Sequence, residues 1–236
     1  MKTLTNQPEG FCDLVTLYKD GSMLRVQSVI SDGSSLSMDQ DGYWAKDQYN
    51  VPDCAFAVKL DVNNDGYEDL VTFRDLGKIN GKDILGIEYW AYNGYTLIHI
   101  GRMRFDTLVG YPVQNIKGIV AGDFDNDGFV DDVASLYDYG LISNKYVAAF
   151  HMWLSNGTAL VYQGSNGWWK VLGYPVQNVR FLMSGDYSGD GIYDISTVYD
   201  YTMNVSRFTF GNPPGVPLSI KARVVGLTFH RIISIA

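Results

Sequence analysis

Residues 111–128 read YPVQNIKGIVAGDFDNDG, and two other stretches of the chain follow the same pattern without a gap. Residues 49–66 read YNVPDCAFAVKLDVNNDG, 62 positions earlier, and residues 174–191 read YPVQNVRFLMSGDYSGDG, 63 positions later. Self-similarity at a fixed period is the signature of repeat architectures, in which every copy forms one supersecondary unit. The sequence therefore predicts three copies of one unit of roughly sixty residues.

The residues that follow each copy favour β-strands. GYEDLVTF from Gly66, GFVDDVASLY from Gly128 and GIYDISTVY from Gly191 are rich in β-branched and aromatic residues, which suit a pleated, half-buried surface. Further on, two apolar runs are joined at Asn93-Gly94 in one unit and at Asn156-Gly157 in the next. Asn-Gly between apolar runs predicts a hairpin with a type I′ turn, in which both central residues have positive φ.

Each unit is therefore predicted to contain four antiparallel strands and no helix, which is the pattern of a β-propeller blade. The expected fold class is all-β, a small β-propeller of about four blades that forms a single domain over residues 1–236. Inner strands are expected at four places in the chain, residues 56–61, 117–122, 179–184 and 229–235.

The two ends of the chain are predicted to complete one blade. GFCDLVTLYKDG, from Gly10, matches the later strands of a unit, whereas GLTFHRIISIA at the C-terminus matches a first strand. Pairing them closes the ring and removes exposed sheet edges. A closed monomer, a strand-exchanged dimer with a ring of twice the size, and a fragment of a larger propeller stay open as alternatives. The predicted blade units are 10–48 with 226–236, 49–110, 111–173 and 174–225.

Each repeated segment ends in a loop where acidic or amide residues alternate and a glycine stands at the sixth position. Counted from its first Asp, each loop offers side-chain oxygens at positions 1, 3, 5 and 9 and a backbone carbonyl at position 7, and Ca²⁺ takes about six to eight such oxygens. The predicted ligands are Asp61, Asn63, Asp65, Tyr67 and Asp69 in loop 1; Asp123, Asp125, Asp127, Phe129 and Asp131 or Asp132 in loop 2; and Asp186, Ser188, Asp190, Ile192 and Asp194 in loop 3.

Ordinary turns, EF-hands and dockerin modules match these loops less well. Asp, Asn and Gly do form ordinary turns, but three loops in register favour Ca²⁺ at about three sites. An EF-hand needs Glu at position 12, where this chain has Thr72, Ala134 and Thr197, and dockerin modules lead into helices where this chain predicts strands. The first unit has Thr5, Gln7 and Glu9 at the corresponding places, so its loop is expected to be metal-free.

The loops resemble the FG-GAP or VCBS repeats of integrin-type and bacterial surface propellers. The signature D-x-[DN]-x-D-G-x-x-D stands in three of the four units, with Ser188 at its third position in loop 3. The resemblance covers essentially the whole chain, and it implies structural Ca²⁺ between the first two strands of a blade. Two features depart from the family, the small number of blades and the first unit without a metal loop.

The charge and composition of the chain limit the classes of partner that it can bind and indicate where it is located. A net charge of -8 and a pI near 4.7 argue against binding to nucleic acid or an anionic membrane, and no apolar run is long enough to insert into a membrane. The N-terminal residues lack the apolar stretch of a secretory signal, yet millimolar Ca²⁺ outside cells favours an extracellular or cell-surface location. Cys12 and Cys54 are expected either to pair or to be two buried thiols.

Aromatic residues indicate the ligand class. Tyr49, Tyr111 and Tyr174 recur at one repeat position and Trp90 and Trp153 at another, which favours packing. Trp44, Trp168 and Trp169 lie beside turn-rich segments, where a ring can stack on a sugar, and propeller lectins of related repeats bind sugars between blades. The predicted function is a calcium-stabilised module that binds a glycan or a cell-surface protein, with ligand contacts at Trp44, Trp90, Trp168 and Trp169.

The sequence favours a binding module over an enzyme. His99, His151 and His230 fall in different units, and no nucleophile, phosphate-loop or zinc motif accompanies them. A lone His in a strand is more often a hydrogen-bonded structural residue. Two alternatives stay open, a propeller related to polysaccharide lyases or hydrolases and a purely structural scaffold that binds proteins.

Overall fold

The structure is a computed structural model of the 236-residue chain. It describes residues 14–20, 23–31, 34–46, 54–92, 97–104, 110–164, 170–173, 175–201, 205–211 and 223–225.

The described residues form sixteen β-strands in four antiparallel sheets, with two short 3-10 turns at Val113–Asn115 and Val176–Asn178. The first sheet has the order β1 (Leu14–Asp20), β2 (Met23–Ser31), β3 (Leu36–Lys46). The second has the order β4 (Cys54–Leu60), β5 (Asp69–Ile79), β6 (Lys82–Tyr92), β7 (Leu97–Arg104). The all-β prediction is therefore confirmed for the described part of the chain.

The third and fourth sheets repeat the connectivity of the second. The third contains, in order, β8 (Ile116–Gly122), β9 (Asp132–Ile142), β10 (Lys145–Ser155) and β11 (Leu160–Gly164), and β12 (Lys170–Leu172) also pairs with β10. The fourth contains β13 (Val179–Gly185), β14 (Asp194–Tyr201), β15 (Val205–Gly211) and β16 (Arg223–Val225). Strands β4, β8 and β13 thus lie at three of the four places where inner strands are predicted, and the fourth place, 229–235, lies outside the described residues.

Two tight hairpins shape the second and third sheets. Asn80 and Gly81 connect β5 to β6, and both have positive φ, 53° and 78°. Ser143 and Asn144 connect β9 to β10 in the same way, with φ of 50° and 61°. Positive φ at both central positions defines the type I′ turn. In the second and third sheets, the long second strand therefore turns directly into the third strand.

The connection between β10 and β11 is a hairpin, as Asn156-Gly157 predicts, but the type of turn differs. Asn156 N–H donates to the Ala159 carbonyl at 3.1 Å, and the Asn156 side-chain oxygen accepts the N–H groups of Thr158 and Ala159. Within this turn only Gly157 has positive φ. The four-residue turn replaces the expected type I′ turn because the Asn156 side chain folds back onto the backbone. Asn93-Gly94 lies outside the described residues.

The fourth strand of the third sheet is divided, whereas β7 of the second sheet is a single strand. Lys170 of β12 lies opposite Ala149, at the place where Arg104 of β7 lies opposite Gly86. The chain from the start of β11 to Lys170 is three residues longer than the chain from the start of β7 to Arg104, and the chain from Lys170 to Tyr174 is three residues shorter than the chain from Arg104 to Tyr111. The two sheets therefore differ in strand pairing and not by an insertion, and the sequence between β11 and β12 contains Trp168 and Trp169.

The chain divides into two compact units. Unit 1 consists of Met1–Asn115, Phe129–Asp131 and Ser155–Val161, and unit 2 consists of Ile116–Gly128, Asp132–Leu154 and Tyr162–Ala236. The expected single domain and closed ring stay predictions. Within the described residues no helix is long and apolar enough to cross a membrane.

Each unit has its own apolar core. In unit 2, β8 and β13 lie side by side, and buried side chains from four strands and from the segment before β13 pack together, among them Val120, Leu136, Phe150, Val176 and Ile195. In unit 1, Trp90 is fully buried and its indole N–H donates to the Thr72 hydroxyl at 3.3 Å. Trp153, its repeat equivalent, is also fully buried. The predicted packing role of this tryptophan position is confirmed.

Unit 1 also contains a buried ion pair. Arg74 on β5 donates to a Glu88 carboxylate oxygen on β6 at 2.9 Å, and their side chains are only 4% and 0% exposed. Cys54 on β4 lies nearby as a free thiol, and burial, partly offset by the Arg74 charge, raises its pKa. The described part of the chain therefore holds Cys54 as a shielded thiol, while Cys12 lies outside it.

Candidate metal centre

The three acidic loops connect equivalent strands and share one backbone conformation. Each joins the first strand of its sheet to the second, β4 to β5, β8 to β9 and β13 to β14. Position 6 is a glycine with φ between 88° and 93° in Gly66, Gly128 and Gly191. Position 4 also has positive φ, at Asn64, Asn126 and Gly189. Asn and Gly tolerate this conformation best. Their presence at position 4 of each loop is therefore a second sequence feature that predicts the shared loop conformation.

The first aspartate organises each loop. One oxygen of its carboxylate accepts the N–H of position 5 at 3.1–3.2 Å, and the other accepts the N–H of the position 6 glycine at 2.8–3.0 Å. These bonds fold the loop around the carboxylate, and in loops 2 and 3 the same Oδ1 atom also accepts the N–H of position 4 at 2.7 Å. The same scheme is present at Asp61, Asp123 and Asp186.

Positions 3 and 5 also accept backbone N–H groups. At position 5, Asp65 accepts the Tyr67 N–H at 2.9 Å, and Asp190 accepts the Ile192 N–H at 3.0 Å. At position 3, Asn63 accepts the Asp65 N–H at 3.1 Å, and Asp125 accepts the Asp127 N–H at 3.2 Å. Backbone donors thus hold these side chains in place within their loops.

Loop 2 brings three carboxylates within reach of one ion. Asp123, Asp125 and Asp127 each offer an oxygen, and these oxygens lie within 4.8 Å of one another. Two ligand oxygens at a Ca²⁺ distance of about 2.3–2.6 Å are at most about 5 Å apart. Both the spacing and the all-oxygen chemistry of this cluster fit a hard cation.

The closing aspartate of each loop is buried at the start of the second strand. Asp69 lies opposite Leu60, Asp132 opposite Gly122, and Asp194 opposite Gly185. Asp69 accepts the Tyr92 N–H at 2.9 Å, and Asp194 accepts the N–H groups of Tyr187 and Ser188.

One oxygen of this closing carboxylate has no protein donor in loops 1 and 3. Oδ2 of Asp69 and Oδ1 of Asp194 have no hydrogen-bond partner among the described residues, although the two side chains belong to residues only 1% and 2% exposed. A buried carboxylate oxygen without a donor is costly. A cation at the loop centre would satisfy it.

The repeat register decides between the two aspartates of loop 2. Asp132 takes the place of Asp69 and Asp194, and its carboxylate accepts the Phe124 N–H at 2.9 Å. Asp131 is the inserted residue and belongs to unit 1. There the Asn64 amide nitrogen, turned toward Asp131, donates to its carboxylate at 3.2 Å, and the Asp61 N–H donates to the Val130 carbonyl at 3.4 Å. Of the two predicted alternatives, Asp131 and Asp132, it is Asp132 that lies at the position equivalent to Asp69 and Asp194.

Like charges raise the pKa of several loop carboxyls. Burial raises the pKa of Asp69 to about 6, and the charges of Asp65 and Asp61 add to the shift. For Asp125, desolvation and the Asp127 charge raise the pKa. In Asp186 three backbone N–H groups outweigh desolvation and hold the pKa below its ordinary value. The loops therefore combine mutual repulsion with fixed hydrogen-bond donors.

The predicted ligand-contacting tryptophans lie in different surroundings. Trp90 is fully buried and bonded to Thr72, so no face of its ring is open to a sugar, and the prediction of a ligand contact there is corrected. Trp44 lies on β3, opposite Val26. Trp168 and Trp169 lie outside the described residues. The position 7 residues of loops 1 and 2, Tyr67 and Phe129, are exposed.

Comparisons with known proteins give no relative for this chain: no model of a known protein family matches it, and no curated protein matches it.

Proposed function

We propose that the chain is a calcium-stabilised β-propeller module of about four blades that binds glycans outside the cell. The observation that carries the calcium part is the shared loop design, in which backbone donors hold the first carboxylate and the closing aspartate is buried, together with the cluster of Asp123, Asp125 and Asp127 in loop 2. The resemblance to FG-GAP or VCBS repeats supports the same assignment. Three sheets with similar strand order, formed by successive segments of the chain, support the propeller architecture.

The residues that hold the ion are proposed from the loop positions. In loop 2 they are Asp123, Asp125, Asp127 and Asp132. Bound Ca²⁺ would neutralise the clustered carboxylates, so its binding free energy would add to the stability of the fold. Millimolar Ca²⁺ saturates weak loop sites outside cells, which supports an extracellular location.

The glycan part is supported by the divided strand of the third sheet. The strand that is continuous in the second sheet is divided here, and the sequence between its two parts contains Trp168 and Trp169. Tryptophan rings provide large flat apolar faces with a polar edge, which suit the C–H face and the hydroxyls of a sugar. Trp44 stays a proposed contact on the first sheet.

The test is a glycan-array screen in millimolar Ca²⁺ with wild-type protein and the Trp168→Ala and Trp169→Ala variants. We expect selective binding that weakens by about tenfold in one or both variants, because one ring contact contributes about 0.5–1.5 kcal/mol. Tyr146→Ala, which removes an exposed ring elsewhere in the third sheet, is the control and should bind like the wild type. A blank array would contradict the glycan assignment.

A protein partner is the second candidate, and a specific surface favours it. Leu141 and Ile142 at the tip of the β9–β10 hairpin are 61% and 50% exposed, and Tyr146 is exposed beside them. Clustered exposed apolar side chains mark protein contact sites more often than sugar sites. If the array is blank, Leu141→Lys should abolish capture of a cell-surface protein that the wild type retains.

A further inference from the structure

The third sheet contains a histidine enclosed by aromatic rings, at a place where the second sheet has an ion pair. His151 on β10 is the repeat equivalent of Glu88, and Tyr137 on β9 is the equivalent of Arg74. His151 is only 3% exposed, and the Tyr137 ring stacks on it at a centroid distance of 4.7 Å. The cluster belongs entirely to unit 2. It breaks the repeat, and neither the loops nor the proposed ligand site uses it.

Both ring nitrogens of His151 contact tyrosine hydroxyls. The Tyr139 hydroxyl lies 2.7 Å from Nε2, and the Tyr162 hydroxyl lies 3.3 Å from Nδ1. A neutral imidazole has one N–H donor and one acceptor nitrogen, so one tyrosine donates and the other accepts. Hydrogen bonds donated by O–H are shorter than those donated by N–H, so we assign Tyr139, at the shorter distance, as the donor to Nε2 and Tyr162 as the acceptor from Nδ1–H. Burial, with added effects of Tyr139 and Tyr137, also raises the pKa of Tyr162, which agrees with this assignment.

A β-bulge places Tyr139 between the cluster and the solvent. Asp138 pairs with Ala148 and Gly140 pairs with Val147, so Tyr139 is the extra residue of β9. The Asp138 carboxylate accepts the Gly140 N–H at 2.8 Å and fixes the bulge. Bulges re-aim side chains in this way. Tyr139 is 37% exposed while its hydroxyl stays bonded to a buried base.

We propose that Tyr139 is the site at which a peroxidase-type one-electron oxidant modifies this protein, and that the resulting radical joins two copies of the chain through a dityrosine bond. The inference goes beyond the proposed function, since it requires neither calcium nor a glycan. It rests on the Tyr139–His151 hydrogen bond and on the exposure of the Tyr139 ring.

The chemistry follows from the hydrogen bond. An oxidised phenol is a strong acid, so when Tyr139 gives one electron to the oxidant its proton passes along the existing bond to Nε2 of His151. The imidazolium then donates to both tyrosine oxygens and lies against the Tyr137 ring, which attracts a cation. Tyr139 is left as a neutral phenoxyl radical.

Coupling completes the reaction. Two radicals on two copies form one bond between ring carbons next to the oxygens; each ring then releases the hydrogen at that carbon as a proton, and its oxygen takes back the proton held by His151. The two electrons and the two released protons reduce one hydrogen peroxide, through the peroxidase, to two waters. All protons and electrons are accounted for with hydrogen peroxide as the single oxidant.

Two other tyrosines provide matched internal controls. Tyr146, at the tip of the same hairpin, is 38% exposed, and Tyr67 in loop 1 is 37% exposed. Exposure alone therefore predicts equal modification of all three residues. The bond to His151 predicts a preference for Tyr139 of about tenfold, the factor that corresponds to one hydrogen bond to a charged group.

The experiment treats the full chain with horseradish peroxidase and hydrogen peroxide and maps dityrosine by peptide mass spectrometry. We expect Tyr139 peptides to dominate the cross-links, Tyr139→Phe to lower the dimer yield by about tenfold, and Tyr146→Phe to leave it unchanged. His151→Gln, which keeps a polar side chain but removes the base, should reduce modification of Tyr139 to the level of Tyr146. If His151→Gln does not fold, the distribution of cross-links among the tyrosines of the wild-type protein tests the proposal by itself. Equal modification of Tyr139, Tyr146 and Tyr67, or an unchanged yield in Tyr139→Phe, would overturn the proposal.

Discussion

Replacing Glu88 by alanine will lower the free energy of unfolding by about 3–5 kcal/mol. The Arg74 guanidinium, 4% exposed, would lose the carboxylate that it contacts at 2.9 Å, and a buried charge without its counterion is strongly destabilising. Chemical denaturation followed by circular dichroism measures the change.

Two controls separate the buried pair from ion pairs in general. Glu68 pairs with Lys59 at the surface, where both side chains are well exposed, so Glu68→Ala should change the free energy of unfolding by about 1 kcal/mol or less. The double variant Arg74→Met with Glu88→Leu should recover most of the stability, because an apolar pair avoids the cost of desolvating two charges. Equal losses in Glu88→Ala and Glu68→Ala would contradict the buried geometry.

Trp90→Ala is expected to cost about 3–5 kcal/mol of folding stability, because it empties the largest fully buried site of unit 1 and removes the donor to Thr72. Thermal or denaturant unfolding measures this loss. The size of this stability loss also separates a core role from a ligand contact. Replacing a surface tryptophan that stacks on a sugar would weaken binding and leave the folding stability unchanged.

The conservative variant sharpens the Trp90 prediction. Trp90→Phe keeps a buried ring and should cost clearly less than Trp90→Ala, whereas Tyr146→Ala removes an exposed ring and should stay within about 0.5 kcal/mol of the wild type. Stability unchanged in Trp90→Ala would show that the ring is not in the core.

The strands and the loops could be predicted from the sequence because both signals are local. The β-branched and aromatic runs after the loops identified β5, β9 and β14, and the repeated segments before the loops placed β4, β8 and β13 to within a few residues. The glycine at position 6 of each loop has the positive φ that its turn requires. The repetition of the loop strengthened the Ca²⁺ prediction, because a single loop of this kind is equally consistent with an ordinary turn.

The turns between the strands are harder to predict from their dipeptides. Asn80-Gly81 is the same dipeptide as Asn156-Gly157 and does form the two-residue turn, while Asn156-Gly157 does not. Ser143-Asn144 is a weaker signal, because Ser seldom adopts positive φ. The choice between Asp131 and Asp132 needed the strand register, which a one-residue insertion shifts.

The buried polar pairs could not be predicted from the sequence. Arg74 and Glu88 are fourteen positions apart, and His151 meets Tyr139 and Tyr162 from neighbouring strands. Only the pairing of strands β5 with β6 and β9 with β10 places these side chains on one face. A hydrogen-bonded structural role is what a lone histidine in a strand predicts, and His151 does form such bonds.

The proposal that three loops of one design bind Ca²⁺ is tested most directly by calorimetric titration of metal-free protein with Ca²⁺. We predict about three equivalents bound with dissociation constants below millimolar, and the loss of about one equivalent in Asp123→Ala, whose carboxylate organises loop 2. No heat of binding up to millimolar Ca²⁺, with wild type and Asp123→Ala indistinguishable, would contradict the calcium assignment.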